Sequence, residues 1–159
     1  MITNILVSIS GSANSMIAAK YAICLSRLLK ARLSAVYVVN SSILSDLLKS
    51  RIFVEMEARN YERDLEMQGK LLLEKVRKMA ESKNVVCEEF LLKGEVCDEM
   101  INKAADIKAD ILVMGEVKEI TSRVEIFHDE GERISRRAPC PVVLVRNQNI
   151  VEDLYKEIV

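Results

Sequence analysis

The chain has 159 residues, half of them hydrophobic, with 23 Lys and Arg against 24 Asp and Glu and a formal net charge of −1. That apolar content at this length supports one core-bearing domain and excludes a disordered tail, while the balanced charge offers no broad cationic footprint for nucleic acid. No apolar run approaches the roughly 20 residues that span a bilayer, and the N-terminus opens on a strand-like stretch rather than a cleavable leader, so a cytoplasmic protein without membrane insertion is expected.

In chain order, short β-branched runs alternate with helical patterns, the mark of parallel βαβ units. The first run, Ile2 to Ile9, ends at Ser10-Gly11-Ser12, where Ser12 can cap a helix over residues 13–30. Ile17, Tyr21, Cys24, Leu25 and Leu28 recur every three or four positions and form its buried stripe. A valine-rich strand follows from Arg32 to Val39, then a short helical segment over 43–49. Val54, Ala58, Tyr61, Leu65, Leu72, Val76 and Met79 mark a long amphipathic helix whose pattern is interrupted only at Gln68-Gly69. At 1.5 Å per residue it reaches about 40 Å, more than a crossover needs, and should overhang the sheet.

Val85 to Leu92 reads as a third strand, Glu95 to Ile107 as a crossover helix, and Ile111-Leu112-Val113-Met114 as a fourth strand closed by Gly115. A fully apolar run of this kind belongs inside a parallel sheet covered on both faces. A polar loop from Glu116 to about His128 leads to a helix over 129–137, and Ala138-Pro139-Cys140-Pro141 enters the last strand, Val142 to Val145, in extended form. In the tail, Ile150, Val151, Leu154, Tyr155 and Ile158 share one helical face, fit either to pack on the same domain or to dock against a second subunit.

Cys24, Cys87, Cys97 and Cys140 lie apart, with no CxxC or Cys/His spacing, and read as buried thiols. Cys140, after Arg136-Arg137, is the one modest candidate for an oxidant-sensitive thiol. The single histidine, His128, cannot build a metal cage or a histidine-paired nucleophile; beside Asp129 it reads as a surface group or, less simply, a pH sensor. Lys118, Glu119 and Arg123 read as a solvated loop, with Lys118 the one that could meet an acidic partner or ligand.

Ile5-Leu6-Val7 followed by Gly11-Ser12, Tyr37-Val38-Val39, Ala109-Asp110-Ile111-Leu112-Val113-Met114-Gly115 and Arg137-Ala138-Pro139-Cys140-Pro141-Val142 together resemble the universal stress protein family over residues 1 to 146. The resemblance implies a Rossmann-like α/β three-layer sandwich with a five-stranded parallel sheet of order 3-2-1-4-5 and a homodimer pairing through its last strands; the apolar face of the tail adds a helical extension over 147–159. Family members that bind ATP carry Gly, two residues, Gly, nine residues, then Gly with Ser or Thr. Gly115 matches the first position; the others fall on Lys118, His128 and Asp129. Ser10 stands where nucleotide-binding members usually carry an aspartate.

Glycines in such loops let phosphates approach the backbone, and a hydroxyl at a helix N-terminus completes the cradle. A helix beginning at Asp129, with Glu130 and Glu132 following, would satisfy its dipole with its own carboxylates and repel a polyphosphate. The resemblance is therefore to the branch lacking the ATP motif: a regulatory protein without cofactor, acting through protein contacts, with no catalytic residue and no metal. The long helix from Val54 to Ser82 and the tail after Arg146 are its candidate partner surfaces.

Two alternatives stay open. A nucleotide-binding regulator would hold ATP or AMP through Ser10, Gly11, Ser12, Val39, Met114 and Gly115, at the switch point of the open sheet, where ring recognition needs only apolar walls and backbone groups. An adenylating enzyme is the other, because Ser10-Gly11-Ser12-Ala13-Asn14-Ser15 distantly resembles the SGGxDS loop of ATP pyrophosphatases, with Ser12 in place of the second glycine and Asn14 in place of the aspartate.

Overall fold

The computed structural model describes residues 1–51, 53–116 and 124–159, without the side chains of 124–130. The elements run β1 (Asn4–Ile9), α1 (Ala13–Leu29), β2 (Arg32–Asn40), α2 (Ser41–Lys49), α3 (Glu55–Glu81), β3 (Cys87–Gly94), α4 (Val96–Asp106), β4 (Ile111–Gly115), α5 (Val124–Arg137), β5 (Val142–Val145) and α6 (Gln148–Glu157). The five strands form one parallel sheet in the order β3-β2-β1-β4-β5, the expected Rossmann-like arrangement. β1 is central: Val7 sits opposite Ala35 on one side and Val113 on the other. The chain reverses direction across the sheet between β1 and β4, which places the switch point at their C-terminal ends.

Strand alternation divides the apolar residues into two cores. Ile5, Val7, Ile9, Leu33, Ala35, Tyr37, Val39 and Val113 face α1 and α3, while Leu6, Val36, Leu112 and Met114 face α4 and Ile134 of α5. The central strands are thus buried on both faces, as continuous apolar runs require. Each large aliphatic side chain so covered contributes about 1.5–3 kcal/mol relative to exposure.

Helix ends follow local chemistry. Ser12 caps α1, its hydroxyl accepting from the Ser15 N–H at 3.3 Å, and Asn40 caps α2 through Ile43 N–H at 3.2 Å. Three helix-to-strand turns share one closure that the sequence does not announce, because none contains glycine. Lys30, Asn84 and Lys108 adopt left-handed backbone with φ of 55°, 57° and 53°. The following residue then donates to a carbonyl five positions back, as in Ala31 N–H to Ser26 O at 2.9 Å and Ala109 N–H to Ala104 O at 2.9 Å.

α3 is one unbroken helix through Gln68-Gly69. Of its first fourteen residues only Ala58 is buried, although Leu65 packs against the core and Glu62 and Glu66 pair with Lys93 of β3, so the helix meets the sheet from about its third turn onward. The tail forms α6 and packs on its own domain. Val151 and Ile158 are buried, Glu152 pairs with Lys20 at 2.5 Å, and the Tyr155 hydroxyl donates to Met79 O at 3.3 Å. Lys83 lies 4.7 Å from the Tyr155 ring centre and its Nζ donates to Ile158 O at 2.6 Å. The apolar stripe of the tail is therefore covered from within, Ile150 excepted.

Two expectations are corrected. The buried face of α1 is formed by Ala18, Ala19, Ala22, Ile23 and Cys24, while Leu28 is exposed, because the small alanines let the helix lie close on the sheet. α5 starts at Val124, not Asp129, because the amphipathic pattern continues backward through Ile126 and Phe127. His128 and Asp129 thus lie inside a helix, and their backbone N–H groups belong to its interior. Lys118, Glu119 and Arg123 lie outside the described residues, as do the side chains of His128, Asp129 and Glu130.

The N-terminus is clamped by Asp110, whose carboxylate accepts from Thr3 N–H at 2.8 Å and Asn4 N–H at 2.9 Å. Those two backbone donors hold its carboxyl below the usual aspartate range. A depressed carboxyl contributes stability above its unfolded value near 3.9 and loses it as pH falls through the lower folded value. Asp110→Asn should therefore flatten the acid limb: thermal midpoints measured from pH 5 down to pH 2 should fall less steeply in the variant than in the parent.

Candidate functional site

The switch point lies at the C-terminal ends of β1 and β4, where Ser10, Gly11, Ser12 and Gly115 stand; of the other residues singled out for a ligand, Val39 belongs to the core under α1 and α3 and Met114 to the core on the opposite face of the sheet. Ser10, Gly11 and Ser12 form the exposed turn into α1. Met114 and Gly115 close β4, and Val39 lies near the end of β2, with no exposed surface.

The exposed turn is bonded mostly to itself. The Ser10 and Ser12 hydroxyls are 2.9 Å apart, Ser12 N–H donates to Ser10 Oγ at 3.3 Å, and the Ser12 hydroxyl also serves as the cap. The Ser15 hydroxyl, buried, donates to Ser10 O at 2.8 Å. Asn14 reaches across the crevice, its Nδ2 donating to Glu116 O at 2.5 Å, while the Glu116 carboxylate faces Arg146 Nε at 3.3 Å. The side chains that stand where an SGGxDS loop would hold pyrophosphate are thereby engaged in capping and bridging.

Both glycines of the crevice have a packing reason. A Cβ on Gly115 would lie 2.4 Å from Asn14 O, a backbone atom of the first turn of α1. A Cβ on Gly11 would lie 2.8 Å from Gln68 Nε2, the tip of a side chain on α3. Gln68 was not among the residues read from sequence as belonging to the site. The interruption at Gln68-Gly69 was its only signal: Gly69 is buried, and a Cβ there would lie 2.6 Å from Tyr37 Cδ1 and 2.8 Å from Leu91 Cδ1. The close approach of α3 at Gly69 carries Gln68 to the crevice, where the Tyr37 hydroxyl donates to Gln68 Oε1 at 3.4 Å.

Of the acidic residues expected at the mouth, Glu132 is described, and it pairs with Arg136 along α5 at 2.5 Å. No group of three or more His, Cys, Asp or Glu able to hold a metal occurs among the described residues. A shallow concavity of about 460 Å³ lies elsewhere, along α3 between Leu71, Lys75, Lys78 and Ser82. Glu74 and Lys78, which also line it, pair with each other at 3.1 Å.

The thiols carry no activated nucleophile. Cys24 and Cys97 are fully buried, and burial pushes all four thiols up, Cys87 to about 12. Cys140 departs from expectation: burial and then the Asp110 carboxylate raise it, and the two arginines before it are engaged elsewhere. Arg136 pairs with Glu132, and Arg137 with Asp98 at 2.7 Å and the Cys97 sulfur at 3.5 Å.

Comparisons with known proteins agree with this architecture. The pattern of the universal stress protein family matches residues 1–146. A universal stress protein of Methanocaldococcus jannaschii is 31% identical over 154 residues, spanning 89% of this chain and 81% of that protein. A crystal structure of a universal stress protein in complex with cAMP superposes with a TM-score of 0.67 at 18% identity, covering 91% of this chain and 97% of the other. The universal stress protein from Archaeoglobus fulgidus in complex with dAMP gives 0.64 at 17% identity, covering 92% and 100%.

The contrast between the two crevice glycines can be measured. Gly115→Ala forces a methyl onto backbone and should cost about 1–3 kcal/mol in urea unfolding. Gly11→Ala meets only a movable side-chain end and should stay within about 0.5 kcal/mol of the parent.

Proposed function

Because this chain belongs to the universal stress protein family, we propose that it is a stress-response regulator that works through protein contacts, as a homodimer, without holding or turning over ATP. The observation that carries this reading is the packing of Gly115 against Asn14 O. The one position that retains the nucleotide motif is required to be glycine by the seating of α1, so its glycine is accounted for by packing alone. The second glycine of the motif is Lys118, and the closing Gly-Ser/Thr pair is His128-Asp129. Because α5 begins at Val124, that pair sits inside a helix, where backbone N–H groups bond to carbonyls four residues back and are unavailable to an anion. This support replaces the expected repulsion by carboxylates at a helix start.

In this reading residues 1–146 form the family domain and 147–159 a helical extension fastened to it. The four free cysteines suit a reducing compartment, so a cytoplasmic location belongs to the same reading. No helix among the described residues is long and apolar enough to cross a membrane. The homodimer rests on β5, an edge strand that pairs with β4 alone and leaves Leu144 45% exposed. An apolar strand edge is a template for another chain unless covered.

The second reading, a nucleotide-binding regulator, is favoured by the exposed Ser10-Gly11-Ser12 turn and by the cAMP and dAMP bound to two structural relatives. Calorimetric titration with ATP and with AMP separates the two. No saturable heat up to millimolar nucleotide is expected, and micromolar binding of either would replace the first reading with the second. For the dimer, Leu144→Glu should convert the protein to a monomer by light scattering, because a carboxylate opposed to its own symmetry mate in an apolar interface is repelled and desolvated.

A further inference from the structure

A ring held at the ends of β1 and β2 on the α3 side needs an apolar wall, and the residues that could supply one are Ile9, Tyr37 and Val39. They are 3%, 6% and 0% exposed. α3 packs against the same core face as that wall. Gly69 lets the helix rest on Tyr37 and Leu91, and the preceding residue, Gln68, then lies with its amide nitrogen over Gly11 and its amide oxygen 3.4 Å from the Tyr37 hydroxyl. The carboxamide thus spans from α3 to a place over the turn that precedes α1.

We propose that Gln68 determines what the crevice admits: its carboxamide, tethered by Tyr37 across Gly11, occupies the space through which a nucleoside ring would reach Ile9 and Val39. This rests on the reading that the crevice does not hold a nucleotide, and gives it a cause separate from the lost phosphate loop. Gln68 is exposed, so the bridge sits at the mouth and belongs to no core. Removing it subtracts a side-chain tip and leaves the seat of α3 at Gly69 intact. Alanine also suits a helix interior better than glutamine.

The test uses adenosine, which has no phosphate and so reports the ring end of the crevice alone. Gln68→Ala should bind it at least about tenfold more tightly than the parent by calorimetry, with an unchanged thermal midpoint. Gln68→Glu, which preserves the volume, should remain at the parent's level, and Tyr37→Phe, which removes the tether, should fall between. Equal affinity in the parent and Gln68→Ala, including no binding by either, would overturn the proposal. So would a gain in Gln68→Glu as large as in Gln68→Ala. Tight ATP binding by the parent would instead overturn the function proposed above, while the adenosine ratio would still report on Gln68.

Discussion

The backbone oxygen of Asn14 lies 2.4 Å from where a Cβ on Gly115 would stand, so α1 can rest on β4 only while residue 115 has no side chain. The geometry of the switch point follows from that contact. With α1 seated there, Ser12 is placed to cap it, Asn14 is placed to reach Glu116 O, and the turn at Ser10 closes on itself. A matching contact at Gly69 brings α3 onto β2 and β3. Two glycines thus set how far apart the helices stand around the crevice, and the space between them is a residue of packing rather than a cavity shaped for its own sake.

The strand order and the strands' share of both cores were legible because alternation within strands is a local signal, whereas three-to-four spacing misplaced the buried face of α1, where Leu28 is exposed and Ala18, Ala19, Ala22 and Ile23 are buried. Ile5, Val7 and Ile9 against Leu6 state the two faces directly. The Ser12 cap was legible for the same reason: a hydroxyl ahead of an apolar stripe has one common use. The start of α5 was not. Acidic Asp129, Glu130 and Glu132 look like the first turn of a helix, whereas the stripe through Ile126 and Phe127 extends it backward, and composition at a helix end is a weaker signal than periodicity.

The site was legible only where chain neighbours form it. Ser10, Gly11, Ser12, Met114 and Gly115 flank strand ends, and the rule that ligands gather at a switch point finds them. Gln68 comes from the middle of α3, tens of residues from β1 and β4, and its place depends on the Gly69 approach to Tyr37 and Leu91, a contact between elements that no local pattern encodes. Cys140 fails for a related reason. Neighbouring arginines in sequence suggested an activated thiol, but helix geometry turns Arg137 toward Asp98 and Cys97 and Arg136 toward Glu132.

At the opposite rim of the sheet, Lys30, Asn84 and Lys108 hold a left-handed backbone that costs an L-residue about 1 kcal/mol or more each. All three precede strands, away from the strand ends where the crevice lies. Arg51 and Asn147 share that backbone, with φ of 56° and 62°, so the cost is not confined to one rim. Heat tolerance can therefore be adjusted at the three turns that precede strands without touching the contact that seats α1, whereas a change at Gly115 reaches the fold itself.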